Sequence, residues 1–496
     1  MTHTATPQQQ AFITALVTTT SNIALVARAG TGKTSTILMA VDEYHRAHPS
    51  HEITICAFNR AIAIEIKEKL DAKGYDWRKV QGTTIHAMGF GLVKFVFKPK
   101  VDAHKVRDLV DARNEPVFKT YRAQIIDLVR YAKGAGFGFF TDKQINNNAA
   151  WYDLADHFDV NGFDDTSEMD DVVAAAQHIY RASLSQTDVI DYDDMILFPL
   201  VKNLRVKFQR DLVIIDEYQD TSPARQALAR KFVKASGRMI AVGDDRQAIY
   251  GFTGADADAL PRFITAHNAI QLPLTVTWRC PRAVVAEAQR LVPDIQAASD
   301  REGSVTSVDT LPEELRADDV ILCRNTAPLI TIAYSLIRRG VACKVEGRAI
   351  GEGLLKLVNR WKVTTIGAFR NKLDDYRARE VQKAQAKGNE AKVEEVNDRC
   401  DTLVEICNGC NARKEYAIDD LRNAINTLFG DDVTGVLTLA TYHRSKGREW
   451  PRVFLFEHKT RCPSRAARQA WQLQQEDNLA YVAITRAKEC LTYVGH

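Results

Sequence analysis

The chain has 496 residues, 45% hydrophobic and 26% charged, the balance of a folded protein of several domains. Lysine and arginine number 66 against 63 acids, and the formal charge of +3 excludes a uniformly basic nucleic-acid coat while leaving room for a local basic groove. Nine scattered cysteines make no disulfide framework, no apolar run approaches the ~18 residues of a membrane span, and the N-terminal MTHTATPQQQ lacks a signal-peptide pattern, so a cytoplasmic location away from membranes is expected.

Residues 23–26 (IALV) read as a short buried strand, followed by a glycine-bearing segment and a helix over 35–46. A second strand over 53–57 and a second helix over 61–70 repeat the unit. This alternation predicts a parallel sheet covered on both faces. From Leu92 to Leu184 the alternation stops, and YRAQIIDLVRYAK and DDVVAAAQHIYRASL show helical spacing. The strand pattern returns with LVIIDE (212–217) and MIAVGD (239–244). A second α/β region begins near Ile270, with a strand over 320–323 and a helix over 328–339. It is interrupted by a charged helical stretch and resumes with VLTLAT (436–441) and VFLFE (453–457). The expected organisation is a first α/β domain from 1–91 and 185–268 with a helical insertion at 92–184. A second comes from 269–350 and 433–496 with a reduced helical insertion at 351–432. The run REVQKAQAKGNEAKVEEVNDR reads as a solvated helical hairpin. Cys400, Leu403, Val404 and Cys407 share one helical face, and the Cys407/Cys410 pair lacks a second pair at zinc spacing, so these cysteines read as a buried stripe. The acidic IDYDDMILFPL (190–200) reads as structural, and no nuclease constellation stands out.

ARAGTGKTS (27–35) lies between a strand and a helix, the setting a phosphate loop requires. Backbone N–H groups of Ala29, Gly30, Thr31 and Gly32 would face phosphate, and a helix N-terminus adds its positive end. Lys33 would reach the outer phosphates and the Thr34 hydroxyl would ligate Mg2+, with Ser35 following. Ala27 stands where the pattern has its first glycine. IIDEYQD (214–220) supplies the partner: Asp216 at a strand end would serve the metal through its water shell, and Glu217 would orient or deprotonate the attacking water. The two motifs together point to nucleotide hydrolysis.

ARAGTGKT, VIIDEYQDTS, VGDDRQAIYGFTGA, TWRCP, TLATYHRSKGREW and NLAYVAITRAK occur in this order from Gln9 to Lys488. Together they resemble the ordered motifs of superfamily 1A DNA helicases of the UvrD/PcrA/Rep family. CAFNRAIAIEIKEKL and the compact size further resemble the F-box-helicase-like branch or its phage relatives. The resemblance implies two RecA-like P-loop NTPase domains, ATP as substrate and Mg2+ as its companion. It implies that Gln9 reads adenine, with Gln8 and Gln10 as flanking alternatives. It also implies that Gln247 senses the γ-phosphate, that Trp278 lies against the adenine ring and that Glu449 contacts ribose. Arg279 and Arg486 match the γ-phosphate arginines, which stabilise the transition state when the domains close.

The stretch QAIYGF sets a polar Gln247 three and five residues before Tyr250 and Phe252. By resemblance the glutamine faces ATP and the aromatics face single-stranded DNA, where a ring grips any base without reading sequence. A buried role for Phe252 is the bland alternative. Thr253 replaces the arginine that the family often has there. Further DNA-facing candidates are Phe58, Asn59, Arg60, Thr84, His86, His443 and Lys446. His86 fits a local hydrogen-bonding role equally well.

The resemblance thus implies an ATP-dependent helicase or single-stranded DNA translocase moving 3′ to 5′, acting on single-stranded DNA and single/double-strand junctions. It would work with replication or recombination proteins, as a monomer or weak oligomer, near the nucleoid if bacterial or phage-encoded. Rival readings are a DNA-stimulated ATPase that mainly displaces proteins, a non-catalytic nucleotide-binding module, and RNA in place of DNA.

Overall fold

The computed structural model describes residues 5–158, 160, 166–251, 254, 256, 258–339, 341–386, 390–429 and 436–495. Contacts divide the chain into two compact units, Met1–Arg28 with Gly32–Leu274, and Ala29–Thr31 with Thr275–His496. Each is an α/β layer built on six parallel strands.

In the first unit the spatial order is Val80–Thr83, Ile53–Cys56, Arg210–Ile215, Val233–Gly243, Ile23–Ala27 and Ile270–Leu274. The central strands are short and apolar because they are buried on both faces. Alternate residues serve opposite faces, as the strand period of two demands. Leu25, Ile55, Ile214 and Val242 pack with Phe12, Leu16, Ile37 and Ile66 from the helices Pro7–Thr18, Lys33–Ala47 and Arg60–Ala72. Ala24, Val213, Ile215 and Ala241 pack instead with Ile196, Leu228 and Phe263 on the other side.

Two expected boundaries move. Ile270–Leu274 is the sixth strand of this sheet, with Ile270 opposite Ile23, so the division falls after Leu274 and not at 268/269. It is an edge strand with alternating exposure, and Pro273, which a strand tolerates only at an edge, broke the strand pattern. The helix Ile85–Phe97 runs across the expected 91/92 boundary and packs on the helix Tyr192–Val201. The inserted helices then build a core of their own from Val106, Ile125, Leu128, Trp151, Val172 and Tyr180.

That insertion is joined to the sheet layer through buried charge. Lys133 Nζ meets Asp191 at 2.6 Å and Asp194 at 2.7 Å, and Lys105 Nζ meets Asp194 at 2.7 Å. Lys105 also donates to the Ser183 and Gln186 carbonyls at 2.8 and 2.9 Å. Asp191 and Asp194 form a capping box at the start of Tyr192–Val201. The acidic segment read as structural is therefore the joint itself.

In the second unit the order is Ser304–Val308, Ala487–Val494, Trp450–Phe456, Val320–Cys323, Leu437–Thr441 and Cys343–Val345, all parallel. Here the intervening helices Ile366–Ala386, Glu390–Ala412 and Ile418–Phe429 share one core with the sheet: Phe369, Leu403 and Ile425 join Ile321, Leu439 and Phe454. Cys400, Cys407 and Cys410 are fully buried in that core. The charged run is a helical hairpin, but two of its acids are not simply solvated. Glu394 accepts from Asn325 Nδ2 at 3.0 Å, and Asp398 accepts the N–H groups of Thr326 and Ala327 at 3.0 and 2.9 Å. These are unsatisfied donors at the start of the helix Ala327–Arg338, where a carboxylate is favoured. No described helix is long and apolar enough to cross a membrane.

Replacing Lys133 by alanine should leave Asp191 without its cation and Asp194 with Lys105 alone in a buried joint. We expect a loss of about 3–5 kcal/mol in urea unfolding. A loss under about 1 kcal/mol would show that the joint is wet and the pair dispensable.

Candidate functional site

The strand Ile23–Ala27 ends at the glycine-bearing loop, and the helix Lys33–Ala47 starts from it. Gly30 and Gly32 have φ of 72° and 80°, the left-handed region that glycine enters without penalty. Gly32 caps the helix without a side-chain hydrogen bond, so the first N–H groups are not claimed by a capping side chain. An uncapped, glycine-lined helix start suits a phosphate. Thr34 and Ser35 occupy its first turn. Ala29, Gly30 and Thr31 group with the second unit.

Gln9 is buried behind this helix. Its Nε2 donates to Thr36 Oγ1 at 2.9 Å, and Thr36 Oγ1 donates to the Gly32 carbonyl at 2.9 Å. Gln9 Oε1 accepts from Thr6 N at 2.9 Å. An amide has two N–H bonds and two lone pairs, so Gln9 keeps one of each for a ligand edge. Gln10 is exposed and turns to Thr14.

Three carboxylates surround the loop lysine. Lys33 Nζ lies 2.7 Å from Glu217 Oε1. Burial alone would lower the Lys33 pKa, but Glu217, Asp216 and Asp244 together hold it above its ordinary value. Burial and then the neighbouring Glu217 push Asp216 up to about 6, against the pull of Lys33. Asp244 is likewise raised by burial, opposed by Arg28 and Lys33. Glu217 sits at φ 53°, a left-handed turn directly after the strand that lets consecutive acids serve different partners. Carboxylate and hydroxyl oxygens are hard donors, the kind that suit Mg2+.

A relay absent from the sequence expectations joins these acids to the next strand end. Gln219 donates from Nε2 to Glu217 and accepts from Asp244 N at 3.1 Å. Asp244 accepts from Gln247 Nε2 at 2.7 Å and from Arg28 Nη1 at 2.9 Å; the same Arg28 nitrogen also meets Asp245 at 2.6 Å. Gly243 is required beneath it, since an added Cβ would fall 2.2 Å from Gln219 Oε1. The DEYQD and GDDRQ spellings carried the signal, as polar residues following apolar strands.

Three residues beyond Gln247, Tyr250 stacks on Phe58, with ring centroids 5.9 Å apart and planes 10° from parallel. Phe58 is 38% exposed. Phe252 and Thr253 lie outside the described residues. Asn59 and Thr84 prove to be helix caps, accepting from Ile62 N at 3.0 Å and Ala87 N at 3.1 Å. Their side-chain oxygens are engaged, while the Asn59 amide N–H and the Thr84 hydroxyl proton stay available. Arg60 is exposed beside them. Burial and then Arg225 lower the His86 pKa to about 4, so it is a neutral hydrogen-bonding group near pH 7 and not a phosphate cation.

In the second unit Trp278 is 54% exposed. Arg279 Nε meets Glu449 at 2.7 Å, and Lys488 lies 3.3 Å from the other oxygen of that acid. Burial would raise the Glu449 pKa, but Arg279 and Lys488 hold it below the usual value. Arg486 is buried and donates to the Val482 carbonyl at 2.7 Å and the Arg448 carbonyl at 3.1 Å. Both arginines converge on Thr485, Arg279 at its carbonyl at 3.2 Å and Arg486 at its hydroxyl at 3.0 Å. Burial and the cations Arg324, Arg444 and Lys446 lower His443 to about 3, so it too is neutral; it lies in the short helix Tyr442–Ser445, which Lys446 ends.

The family profile of the UvrD/REP helicase N-terminal domain matches residues 5–268, and that of the UvrD-like helicase C-terminal domain matches 354–495. The ATP-dependent DNA helicase Rep of Escherichia coli is 35% identical over 95 residues, 18% of this chain and 14% of the relative. Rep of Buchnera aphidicola is 23% identical over 255 residues, 47% and 36% of the two chains. A probable DNA helicase II homolog of Rickettsia felis is 24% identical over 315 residues, 58% and 45%. The chain thus spans less than half the length of these curated relatives.

Asp216→Asn should separate stability from turnover. A carboxyl raised from its ordinary value to about 6 disfavours the folded state increasingly as pH climbs from about 4 to 6. The variant should therefore melt higher than the parent at pH 8, match it at pH 4.5, and hydrolyse ATP at least ~100-fold more slowly. Equal melting at both pH values would refute the buried-charge account. Gln219→Leu should lower kcat roughly tenfold or more with little change in nucleotide Kd, measured by steady-state turnover and titration of a fluorescent nucleotide.

Proposed function

Because the chain belongs to the UvrD/Rep family of ATP-dependent DNA helicases, we propose that it is itself a motor that hydrolyses ATP to move along single-stranded DNA. The observation that carries this reading is the unbroken path inside the first unit. It runs from Lys33 and Glu217 through Gln219 to Asp244 and Gln247, and on along the chain to the partly exposed Tyr250/Phe58 stack. A change in charge at Lys33 must alter its carboxylate partners, and these share hydrogen bonds with the segment that ends at the rings. Nucleotide state and grip on a base would thereby be linked.

In this reading Lys33 holds the outer phosphates in place of Glu217. The released Glu217 then orients the attacking water and takes its proton. Thr34 and Asp216 would hold Mg2+, which supplies charge neutralisation on the phosphate oxygens. Gln247 reports the γ-phosphate, Gln9 reads adenine with its remaining amide valences, and Trp278 stacks on the base. Arg279 and Arg486 neutralise charge as the phosphoryl group transfers. Glu449 would contact ribose only by loosening its hold on Arg279. Phe58, Tyr250 and Phe252 take the bases. The Asn59 amide, Arg60, the Thr84 hydroxyl, neutral His86 and His443, and Lys446 donate to the strand. Movement from 3′ to 5′, action at single/double-strand junctions, partnership with replication or recombination proteins and a monomeric or weakly oligomeric state complete the proposal. The expected segments 1–91, 92–184, 185–268, 269–350, 351–432 and 433–496 are its proposed working parts, with the first and third bounds shifted to follow the helix Ile85–Phe97 and the strand Ile270–Leu274.

A second reading, a motor that strips proteins with little unwinding, is favoured by the second insertion sharing the core of its sheet. A helical segment welded there is less free to swing than one with its own core.

The deciding measurement is steady-state ATP turnover with and without oligothymidylate. Turnover should rise at least ~10-fold with DNA and vanish in Lys33→Ala. Phe58→Ala and Tyr250→Ala should each weaken the DNA response by about 5-fold or more while basal turnover persists. Turnover indifferent to DNA and RNA would overturn the translocase reading. Duplex unwinding beside streptavidin displacement separates the two motor readings.

A further inference from the structure

The strands of the first sheet all run parallel, so the phosphate loop and Asp216 lie at one end, beyond the strand C-termini. The other end is reached in two places. The helix Ile85–Phe97 leaves the strand Val80–Thr83 and travels 13 residues back, roughly 20 Å. The turn after Tyr192–Val201 leads into the N-terminus of the strand Arg210–Ile215. At this far end Phe95 is 68% exposed and Phe208 74% exposed, the two most exposed large apolar side chains among the described residues.

Cations surround them. Lys207 Nζ stands 4.4 Å from the Phe95 ring centroid, which ties the two segments together. Lys94 Nζ lies 5.9 Å from the Phe90 ring, and Lys202 Nζ lies 5.1 and 5.9 Å from those of Phe198 and Phe97. Lys98 and Arg205 are exposed in the same two segments. Surface lysines elsewhere, such as Lys67, Lys69 and Lys73, sit on carboxylates. Among the described residues, Lys94, Lys98, Lys202, Arg205 and Lys207 make no ion pair. The acids Asp102 and Asp188 flank the short strand pair at Lys100–Val101 and Val189–Ile190.

Single exposed rings are ordinary, but apolar side chains grouped on one surface and rimmed by charge mark an interaction site. Unpaired ammonium groups beside them call for a polyanion. A nucleic-acid strand satisfies both at once, since phosphates meet the cations and bases stack on the rings. An acidic protein segment would satisfy the cations but gives no use to two rings standing clear of the surface. We propose that Phe95 and Phe208, with Lys94, Lys98, Lys202, Arg205 and Lys207, form a second contact for single-stranded nucleic acid, at the end of the first unit opposite its phosphate chemistry. This surface requires neither nucleotide nor the residues around Lys33, and its existence does not depend on the motor reading.

The test uses the full chain and two oligothymidylates, one too short to reach both ends of the unit and one several times longer. Phe95→Ala/Phe208→Ala and, separately, Lys94→Ala/Lys202→Ala/Lys207→Ala should each weaken the long strand roughly tenfold in fluorescence anisotropy. Affinity for the short strand and the turnover it stimulates should not change. The lysine variant should also flatten the slope of log Kd against log salt by about 2. A 5-iodouracil oligonucleotide should crosslink to peptides containing Phe95 or Phe208, in the parent and equally in Lys33→Ala. The adduct requires no turnover, so it reads this surface even if the ATPase proposal fails. Unchanged affinity for the long strand with no adduct at either phenylalanine would overturn the proposal. So would a glutamate-rich peptide whose binding falls in both variants while long-strand binding holds, which would reassign the surface to a protein partner.

Discussion

The first unit is organised around one ammonium group. Lys33 is placed among Asp216, Glu217 and Asp244, which arrive from the ends of two strands. Three acids in a poorly hydrated pocket cannot all ionise without a cation, and the rise of Asp216 to about 6 is the residue of that conflict. The arrangement stays tense because one lysine cannot satisfy three partners. In the proposed motor an anion that takes Lys33 releases Glu217 from its 2.7 Å ion pair, so that binding and activation would be one electrostatic event.

From this centre the constraint spreads through hydrogen bonds that are individually ordinary. Gln219 lies between Glu217 and Asp244, and its position is enforced by Gly243, where any side chain would collide with it. Arg28 anchors the same acid from the strand that carries the loop. The aromatic pair Phe58/Tyr250 completes the edge of this assembly. In the second unit Thr485 plays a comparable organising part, receiving Arg279 on its carbonyl and Arg486 on its hydroxyl. Arg486 is buried and donates to the Val482 and Arg448 carbonyls, which fixes its guanidinium in one orientation.

The two inserted helical segments illustrate different solutions to the same topological problem. The first has its own apolar core and is pinned to its host by Lys105, Lys133, Asp191 and Asp194. The second extends the core of its host sheet and is pinned at the rim by Glu394 and Asp398. The first is a body attached at a dry joint of charges, while the second is a continuation of the fold.

The central strands, the phosphate-loop setting and the acids after LVII were legible in the sequence, because buried parallel strands are short apolar runs and chemistry follows their C-termini. The edge strands Val80–Thr83, Ile270–Leu274, Ser304–Val308 and Cys343–Val345 were not, since one open side permits polar residues and erases the pattern. Candidate residues with a local spelling, Lys33, Glu217, Gln247, Tyr250 and Phe58, could be named from spacing and resemblance. What each side chain is bonded to could not. The Gln219 relay, the neutrality of His86 and His443, and the meeting of two arginines at Thr485 depend on distances between segments far apart in the chain. Periodicity and motif report what a residue can do, because they follow from local backbone geometry. Partner, burial and charge state are properties of the packed interior, and only the tertiary structure decided them.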